Sequence, residues 1–454
     1  MKKFFALLLT AAMVLSMVAC GSNEAATTET AAATTAAATT AAATTAAATE
    51  AAASEEKAPV TLQISIIESD FLDAYTENIK PKFEAEYPWI TLEDVGTGEN
   101  KTDFHSARAA ADDLPPVMQT DNGDVYYALI HEGKIMDLSD TEAASHIPES
   151  YKTAYTYDGV LFGLTQGAAY DAMFFNMAIL EEAGVTAVPT NWDEFIDCCA
   201  KVDAAGYDVL CYAGAKNTTA WMILETIVAT EVIEAEGEGY YETALRSGSL
   251  DLTKYPAIVT KLEQIAPYIA TGSSTMTEDD VTAAMTDGAA AIAIAGNWTS
   301  ANITAGITEL TGDASKAVMT PPPFANAGGK TYIAASPESS FGKAVVADEA
   351  VAEARDIFFE WIFQPENFRY IQNARGTLPV LDNMDASLVV LPDAVASFSQ
   401  ATQSCVPFSM SFNNCSGDTN PNTTVAINEL FTGAKTAAEA VETINGIWAL
   451  NQKE

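Results

Sequence analysis

Apolar and polar residues alternate at the start of the folded part of the chain and then change to a longer period. Residues 60–67 alternate on a two-residue period, which predicts a β-strand with one buried face. Apolar side chains then recur every four residues, the spacing of one helix face, at Phe71, Tyr75, Ile79, Phe83 and Tyr87. The first two predicted elements are therefore a strand and a helix.

The same alternation continues along most of the chain. Short apolar runs predict further strands at 90–95, 117–119, 169–175, 207–212, 289–295 and 330–335. Amphipathic or apolar stretches between and after them predict helices at 104–111, 125–131, 219–234, 347–363, 365–373, 387–403 and 423–450. Alternating strands and helices predict an α/β fold with parallel sheet. An Asp158-Gly159 turn inside 157–164 predicts one tight hairpin.

The N-terminal segment has the pattern of an export signal. Lys2 and Lys3 precede the apolar run 4–15, and Cys20 follows at the expected cleavage point. This arrangement resembles the bacterial lipoprotein box, in which the cysteine carries lipid, and Met17 stands where Leu is usual. We therefore expect a signal peptide over 1–19 and a lipid-anchored, Ala/Thr-rich tether over 20–57.

Composition narrows the possible partners. The chain has 454 residues, 22 Lys+Arg against 62 Asp+Glu, and a formal net charge of −40. This charge makes nucleic acid a poor partner, because a phosphate backbone needs a basic surface. The length suggests more than one lobe. With three histidines and no His/Cys cluster, we expect no metal and no cofactor.

Two features leave alternatives open. Cys405 and Cys415 lie in a loop-like stretch and are candidates for a disulfide, whereas Cys198, Cys199 and Cys211 suit buried positions. Residues 418–429 carry oxygen side chains at the spacing of a calcium loop, but Thr423 stands where that loop needs glycine. Helix capping by Asn422 or Thr423 is the simpler interpretation.

Three segments together resemble the solute-binding proteins of ABC importers, the maltose-type and multiple-sugar receptors. They are 133–138 with 157–195, 285–298, and 376–380. The resemblance implies a periplasmic-binding-protein-like α/β fold, in which two lobes are joined by a hinge of several crossings around a ligand cleft. It assigns 58–168 and 290–326 to the first lobe and 169–289 and 327–454 to the second. Crossings are then expected near 167–170, 288–289 and 325–329.

Ligands of α/β sheets bind beyond the carboxyl ends of strands, and sugars need aromatic planes and hydrogen-bonding tips. These rules and the resemblance select the ligand-binding candidates Asp70, Phe71, Asp121, Asn122, Tyr170, Trp221, Trp298, Phe412 and Asn413. Asp70 and Asn122 have an alternative as helix N-caps, and Trp221 and Tyr170 have an alternative as core residues.

The expected function is capture of a neutral sugar or oligosaccharide by hinge closure and delivery to an ABC permease. The expected location is the outer face of the bacterial cell membrane, with lipid attached at Cys20 and the protein a monomer. A cationic solute, such as a polyamine or peptide, is the first alternative, and a surface hydrolase or adhesin is the second. No catalytic motif was found in the sequence, so an enzyme is not expected.

Overall fold

The computed structural model describes residues 57–66, 72–97, 101–216, 219–375, 380–416 and 418–452. The predicted signal peptide, Cys20 and nearly all of the predicted tether lie outside the described residues, as do Asp70 and Phe71. The side chain of Phe412 lies outside them as well. No helix in the described ranges is long and apolar enough to pass through a lipid bilayer.

The strands run in chain order as follows: β1 Val60–Ser65, β2 Ile90–Asp94, β3 Val117–Thr120, β4 Thr156–Tyr157, β5 Val160–Leu161, β6 Leu164–Thr165, β7 Ala168–Asn176, β8 Asp208–Cys211, β9 Ala290–Gly296, β10 Ala317–Thr320, β11 Tyr332–Pro337, β12 Ser340–Lys343 and β13 Val406–Ser409. The α-helices are α1 Leu72–Ala74, α2 Lys80–Glu86, α3 Lys101–Ala110, α4 Asp124–His131, α5 Glu142–Ser145, α6 Glu149–Lys152, α7 Met177–Glu182, α8 Trp192–Ala204, α9 Met222–Glu236, α10 Tyr240–Arg246, α11 Pro256–Ile265, α12 Glu278–Thr286, α13 Ser300–Thr311, α14 Glu349–Ile362, α15 Pro365–Arg375, α16 Asp393–Thr402, α17 Thr419–Phe431 and α18 Ala437–Trp448.

Two sheets form the centres of two lobes, which confirms the predicted fold class. The first sheet has the strand order β2-β1-β3-β12-β6, with β1, β2 and β3 parallel. The second has the order β13-β11-β7-β9-β8, with β10 paired to β7. Apolar side chains from α14 and α15 join the core of the first lobe. The second sheet is covered on both faces by separate clusters of buried side chains.

Local sequence accounts for the way several elements begin and turn. Asn191 caps α8 by accepting a hydrogen bond from the Glu194 amide at 3.1 Å. Asp158 and Gly159, with φ of 49° and 78°, form the hairpin turn between β4 and β5, and such a turn needs residues that tolerate positive φ. The predicted Asp-Gly hairpin is therefore present.

The chain passes between the lobes at 166–167, at 338–339, and again between Met384 and Leu391. The first two crossings lie side by side. The Glu338 amide donates to the Gly167 carbonyl at 2.9 Å, and the Gln166 amide donates to the Ser339 carbonyl at 3.1 Å. These paired backbones form a hydrogen-bonded hinge.

The predicted lobe boundaries need correction in two ranges. Residues 290–326 were assigned to the first lobe, but β9 pairs with β7 and β8 inside the second sheet. Part of 327–454 also belongs to the first lobe, because β12 pairs with β3 and β6. The expected crossings near 288–289 and 325–329 are wrong for the same reason. Gly288, with φ of 70°, follows the C-terminus of α12 instead of forming a hinge.

The structure also decides the predicted disulfide and the predicted helix cap near the C-terminus. Cys405 and Cys415 are both free cysteines and do not form a disulfide. Residues 419–431 form helix α17, which begins before Asn422 and Thr423, so neither residue caps it. Among the described residues no group of three or more His, Cys, Asp or Glu side chains is placed to hold a metal ion.

A buried polar chain supports the carboxyl ends of β1 and β3. His105 Nε2 lies 2.9 Å from Ser65 Oγ, and His105 Nδ1 lies 3.1 Å from the Tyr126 hydroxyl. Burial, aided by nearby Lys101, lowers the pKa of His105 to about 4. The imidazole is therefore neutral at pH 7. It links Ser65 on β1 to Tyr126 on α4, whose hydroxyl donates to the Gln119 carbonyl on β3 at 3.5 Å.

We predict that the wild type is more stable than the His105→Gln variant at neutral pH and that this difference in unfolding free energy shrinks as the pH falls. Because the folded pKa lies below the unfolded value, His105 contributes stability at neutral pH that is lost as pH falls from 6.5 towards 4. The loss is roughly 3 kcal/mol by proton linkage. Urea unfolding of both proteins across this range measures it, with exposed His131→Gln as the control. A wild-type advantage that is independent of pH would contradict the assignment.

The hinge also contains a buried ion pair. Arg375 Nη2 lies 3.0 Å from Glu338 Oε2, and the two residues are only 5 % and 3 % exposed. Arg375 Nη1 also donates to Gln166 Oε1 at 3.1 Å, so the guanidinium contacts both crossing strands. The guanidinium of Arg375 is therefore engaged inside the hinge by one residue of each crossing strand.

We predict that Arg375→Met destabilises the protein by about 3–5 kcal/mol, because Glu338 is left as an uncompensated buried charge. Adding Glu338→Gln should recover most of the loss. Chemical unfolding of the single and double variants tests this coupling. Lys330→Met removes an exposed pair with Glu238 and should cost no more than about 1 kcal/mol. Equal instability of the single and double variants would show that the pair is not coupled.

Candidate functional site

The carboxyl ends of the parallel strands in both sheets meet the crossings. β3 ends at Thr120, which pairs with Ser340 at the start of β12. In the second sheet, β9 ends at Gly296 and β11 ends at Pro337, and both pair with the first residues of β7. Loops that follow these strands therefore converge on the hinge from both lobes, which is where α/β sheets place their ligands. We call this region the hinge groove.

The first lobe contributes Asp121 to the hinge groove, directly after β3. Its Oδ1 lies 3.1 Å from Lys101 Nζ and accepts a hydrogen bond from Ser339 Oγ at 2.8 Å. Ser339 belongs to a crossing, so Asp121 ties the β3 loop to the hinge. Its charge is compensated by Lys101, whose side chain also donates to Ser339 Oγ at 3.0 Å.

Asn122 positions an aromatic pair that the sequence analysis missed. The Tyr127 hydroxyl donates to Asn122 Oδ1. The rings of Tyr127 and Tyr157 stack with centroids 3.8 Å apart and planes 8° from parallel. Asn122 does not cap α4, because the capping position belongs to Gly123 and carries no side-chain bond. The periodic pattern gave no indication of this pair, since one tyrosine is in a helix and the other borders a hairpin turn.

The Tyr pair lies within electrostatic range of the second lobe. Burial and nearby Asp124 raise the pKa of Tyr127, while the charge of Arg246 on α10 acts in the opposite direction. Arg246 Nε donates to Asn414 Oδ1 at 2.7 Å. Arg246, which holds Asn414 in the second lobe, is therefore a second-lobe charge that acts on Tyr127 of the first lobe.

Tyr170 lies at the hinge, at the start of β7. Its phenol lies near that of Tyr151 from the first lobe, and burial raises the pKa of Tyr170 to about 12. Its amide donates to Asn297 Oδ1 at 2.8 Å. Tyr170 is therefore a protonated, half-buried side chain that contacts both lobes, and it packs edge-on against Phe398.

Trp298 follows β9, as predicted, and is half-buried. Its Nε1 donates to Glu278 Oε1 at 3.0 Å, and Glu278 Oε2 lies 2.7 Å from Lys216 Nζ. The indole ring packs directly over Gly296, where a Cβ atom would lie 2.2 Å from ring carbons. Glycine at the end of β9 is therefore required for this position of the ring.

The second lobe also contributes the short helix Ser411–Asn414 after β13. Asn413 Nδ2 donates to Ser336 Oγ at 2.8 Å, which holds this segment against the end of β11. Asn413 is half-buried at the same edge as Tyr170, because Ala335 beside Ser336 is the register partner of Tyr170.

Trp221 is buried in the core of the second lobe. It is 1 % exposed and stacks on Trp448 with ring centroids 5.6 Å apart. Its Nε1 donates to Thr424 Oγ1 at 3.2 Å, so both the ring and its polar atom are satisfied inside the second lobe. The prediction of ligand contact is corrected to a core role, since an apolar helix buried on all sides gave no sign of which face was solvent-accessible.

Comparisons with known proteins agree with this architecture. Residues 79–397 match the family described as bacterial extracellular solute-binding proteins. A binding protein of Brucella abortus (strain 2308) is 32 % identical over 138 residues, which is 29 % of this chain. The match spans about a third of that relative's length, 33 %.

Solved structures share the fold at low sequence identity. A chitin oligosaccharide binding protein superimposes with a TM-score of 0.70 at 19 % identity, covering 86 % of this chain and 98 % of the other. RafE in complex with raffinose gives 0.70 at 17 % identity, covering 86 % and 99 %. A sugar transporter from Bacillus licheniformis in complex with stachyose gives 0.65 at 16 % identity, covering 87 % and 100 %. With most of its folded residues matched by the family description, the chain belongs to the bacterial extracellular solute-binding proteins.

Proposed function

We propose that this protein is the solute receptor of an ABC importer and that it captures a neutral sugar or oligosaccharide in the hinge groove. The observation that supports this most strongly is the stacked Tyr127–Tyr157 pair, which Asn122, a predicted ligand-binding residue after β3, holds by a hydrogen bond. Flat aromatic rings bind the C–H faces of sugars, and amide and carboxylate tips bind the hydroxyl groups. The structural neighbours that carry raffinose and stachyose share the fold and are consistent with this ligand class.

The charges around the groove favour a neutral solute over a cationic one. Asp121, Glu338 and Glu278 each lie within 3.1 Å of a basic side chain, namely Lys101, Arg375 and Lys216. A polyamine or basic peptide would need carboxylates that are free to pair with it. These three carboxylates are already compensated, although the whole chain is strongly acidic.

A surface hydrolase receives less support. Asp171 and Glu225 are in contact, but both belong to the second lobe and each is at most 1 % exposed. Glycoside hydrolysis needs two carboxyl groups on opposite sides of an accessible scissile bond. This buried pair has neither access nor that arrangement.

Hinge closure is the proposed mechanism. The paired crossings at 166–167 and 338–339 allow the lobes to rotate while their ends stay joined. A solute that contacts both lobes stabilises the closed state by its differential affinity for that state.

We further propose that Cys20 carries lipid, that the protein is a monomer at the outer face of the cell membrane, and that a permease receives the solute.

We predict that a neutral oligosaccharide raises the melting temperature and that spermidine does not. A ligand present at 100 times its Kd stabilises the folded state by about 2.7 kcal/mol. The measurement is a thermal-shift screen with raffinose, stachyose, chito-oligosaccharides and xylo-oligosaccharides beside polyamines. Stabilisation by polyamines alone would replace the sugar proposal with the cationic one.

We predict that Tyr157→Ala raises the Kd about 30-fold for the saccharide that raises the melting temperature in that screen. Loss of one stacked ring face removes roughly 2 kcal/mol of binding energy. Isothermal titration calorimetry measures the change. Tyr207→Ala is the matched control. This tyrosine precedes β8, at the amino ends of the parallel strands β8 and β9, and its hydroxyl donates a hydrogen bond to Glu182. Equal losses of affinity for the two variants would show that the stacked pair does not contact the sugar.

A further inference from the structure

A pair of buried carboxyl groups lies behind the groove wall of the second lobe. Asp171 is on β7, one residue beyond Tyr170, and Glu225 is on α9. They are 0 % and 1 % exposed. Neither oxygen of Asp171 receives a hydrogen bond from a donor in the described residues. The Asp171 side chain instead contacts the carboxyl group of Glu225. Two buried acids in contact need a proton between them, because two adjacent negative charges in a low-dielectric interior repel strongly.

The partners of Glu225 indicate where that proton lies. Glu225 Oε2 accepts a hydrogen bond from the Ser411 amide at 2.6 Å. Ser411 Oγ lies 2.6 Å from the Tyr241 hydroxyl on α10, so Ser411 is held on two sides. Burial, and then the charge of Glu225, raises the pKa of Asp171 well above its usual value. Burial also raises the pKa of Glu225, while the Ser411 hydrogen bonds oppose this shift. Glu225 is thus the charged acceptor and Asp171 the proton donor.

Other titratable groups around the pair do not neutralise it. Tyr241 and Glu242 lie on α10, and burial raises the pKa of Tyr241, so its phenol stays protonated. Arg246, on the same helix, has its Nε committed to Asn414. Cys415 follows the Ser411–Asn414 segment and acts on Tyr241. β9 has only Ala, Ile and Gly, and the one titratable residue of β11 is Tyr332, at its far end. Buried Lys261 on α11, which packs against α9, is paired with Glu231 at 2.7 Å.

We propose that Asp171 and Glu225 share a single proton that fixes the Ser411–Asn414 segment, so that the groove wall loosens and solute is released as the pH rises. Glu225 acts as a positioning residue: it holds the Ser411 amide, and the segment carries Asn413 to Ser336 and Asn414 to Arg246. When the pair loses its proton, two buried negative charges face each other and the segment moves away. The link to solute release rests on the proposed function, whereas the shared proton does not.

The ligand-free protein tests the shared proton. An acid with a raised folded pKa costs stability increasingly as pH rises above its unfolded value. Asp171→Asn replaces the protonated acid with an amide that also donates to Glu225. The melting temperature of the variant minus that of the wild type should therefore increase by about 3 °C or more between pH 5 and pH 8. Asp208→Asn, exposed on β8, should show a constant difference. A constant difference for Asp171→Asn as well would overturn the shared proton.

Solute titrations test the positioning role separately. Wild-type affinity should stay constant while the pair keeps its proton, and it should fall about tenfold per pH unit above the point at which the thermal comparison with Asp171→Asn shows that proton to be lost. Asp171→Asn should bind with little pH dependence. Glu225→Ala should weaken binding at every pH, and Glu225→Gln, which keeps an acceptor for the Ser411 amide, should restore it. A pH-independent wild-type affinity would refute the positioning role. If no saccharide binds while the thermal result holds, the proposed function fails and the shared proton stands.

Discussion

The pairing of the two crossing strands is the constraint on which the rest of the structure depends. Backbone hydrogen bonds join 166–167 to 338–339, and Arg375 contacts Glu338 on one strand and Gln166 on the other. Through this junction β6 continues into β7, and β11 continues into β12. The carboxyl ends of the parallel strands in both sheets therefore face the same place. Without the paired crossings, Asp121 and Tyr170 would lie at the edges of two separate sheets.

The electrostatics of the groove differ from those of the chain as a whole. A net charge of −40 keeps the protein repelled from polyanions. Close to the hinge, however, acidic groups are compensated in three different ways. Asp121 and Glu338 have basic partners, Glu278 also receives the Trp298 N–H, and Asp171 faces a second carboxyl group. A neutral, hydroxyl-rich solute requires this kind of surface, because it binds by hydrogen bonds and ring faces instead of by charge.

Much of the fold could be predicted from the sequence, because periodicity and turn chemistry are local. The Asp158-Gly159 hairpin depends on two neighbouring residues, and the structure contains it. Lobe membership is not local. Ser340–Lys343 has no strand pattern of its own, yet it pairs with β3 and β6 and brings α14 and α15 into the first lobe. The apolar run 290–296 is equally compatible with either sheet, and its assignment to the first one was wrong.

The candidate site shows the same division. Asp121, Asn122 and Trp298 were predicted because they follow strands at one sheet edge, a rule that needs only chain order. Tyr170 was predicted from the hinge crossing that the family resemblance implies. The Tyr127–Tyr157 stack and the Tyr151–Tyr170 contact join residues from different elements, and no spacing in the sequence encodes them. Trp221 has the residue type of a sugar-binding ring, but its environment is the core.

Small-angle X-ray scattering with and without a saturating oligosaccharide tests the central claim most directly, namely that solute binds between two lobes that close on it. The account predicts a smaller radius of gyration in the presence of the sugar, in proportion to the occupancy measured by calorimetry. An unchanged radius of gyration at full occupancy would contradict it, because the sugar would then bind without drawing the lobes together.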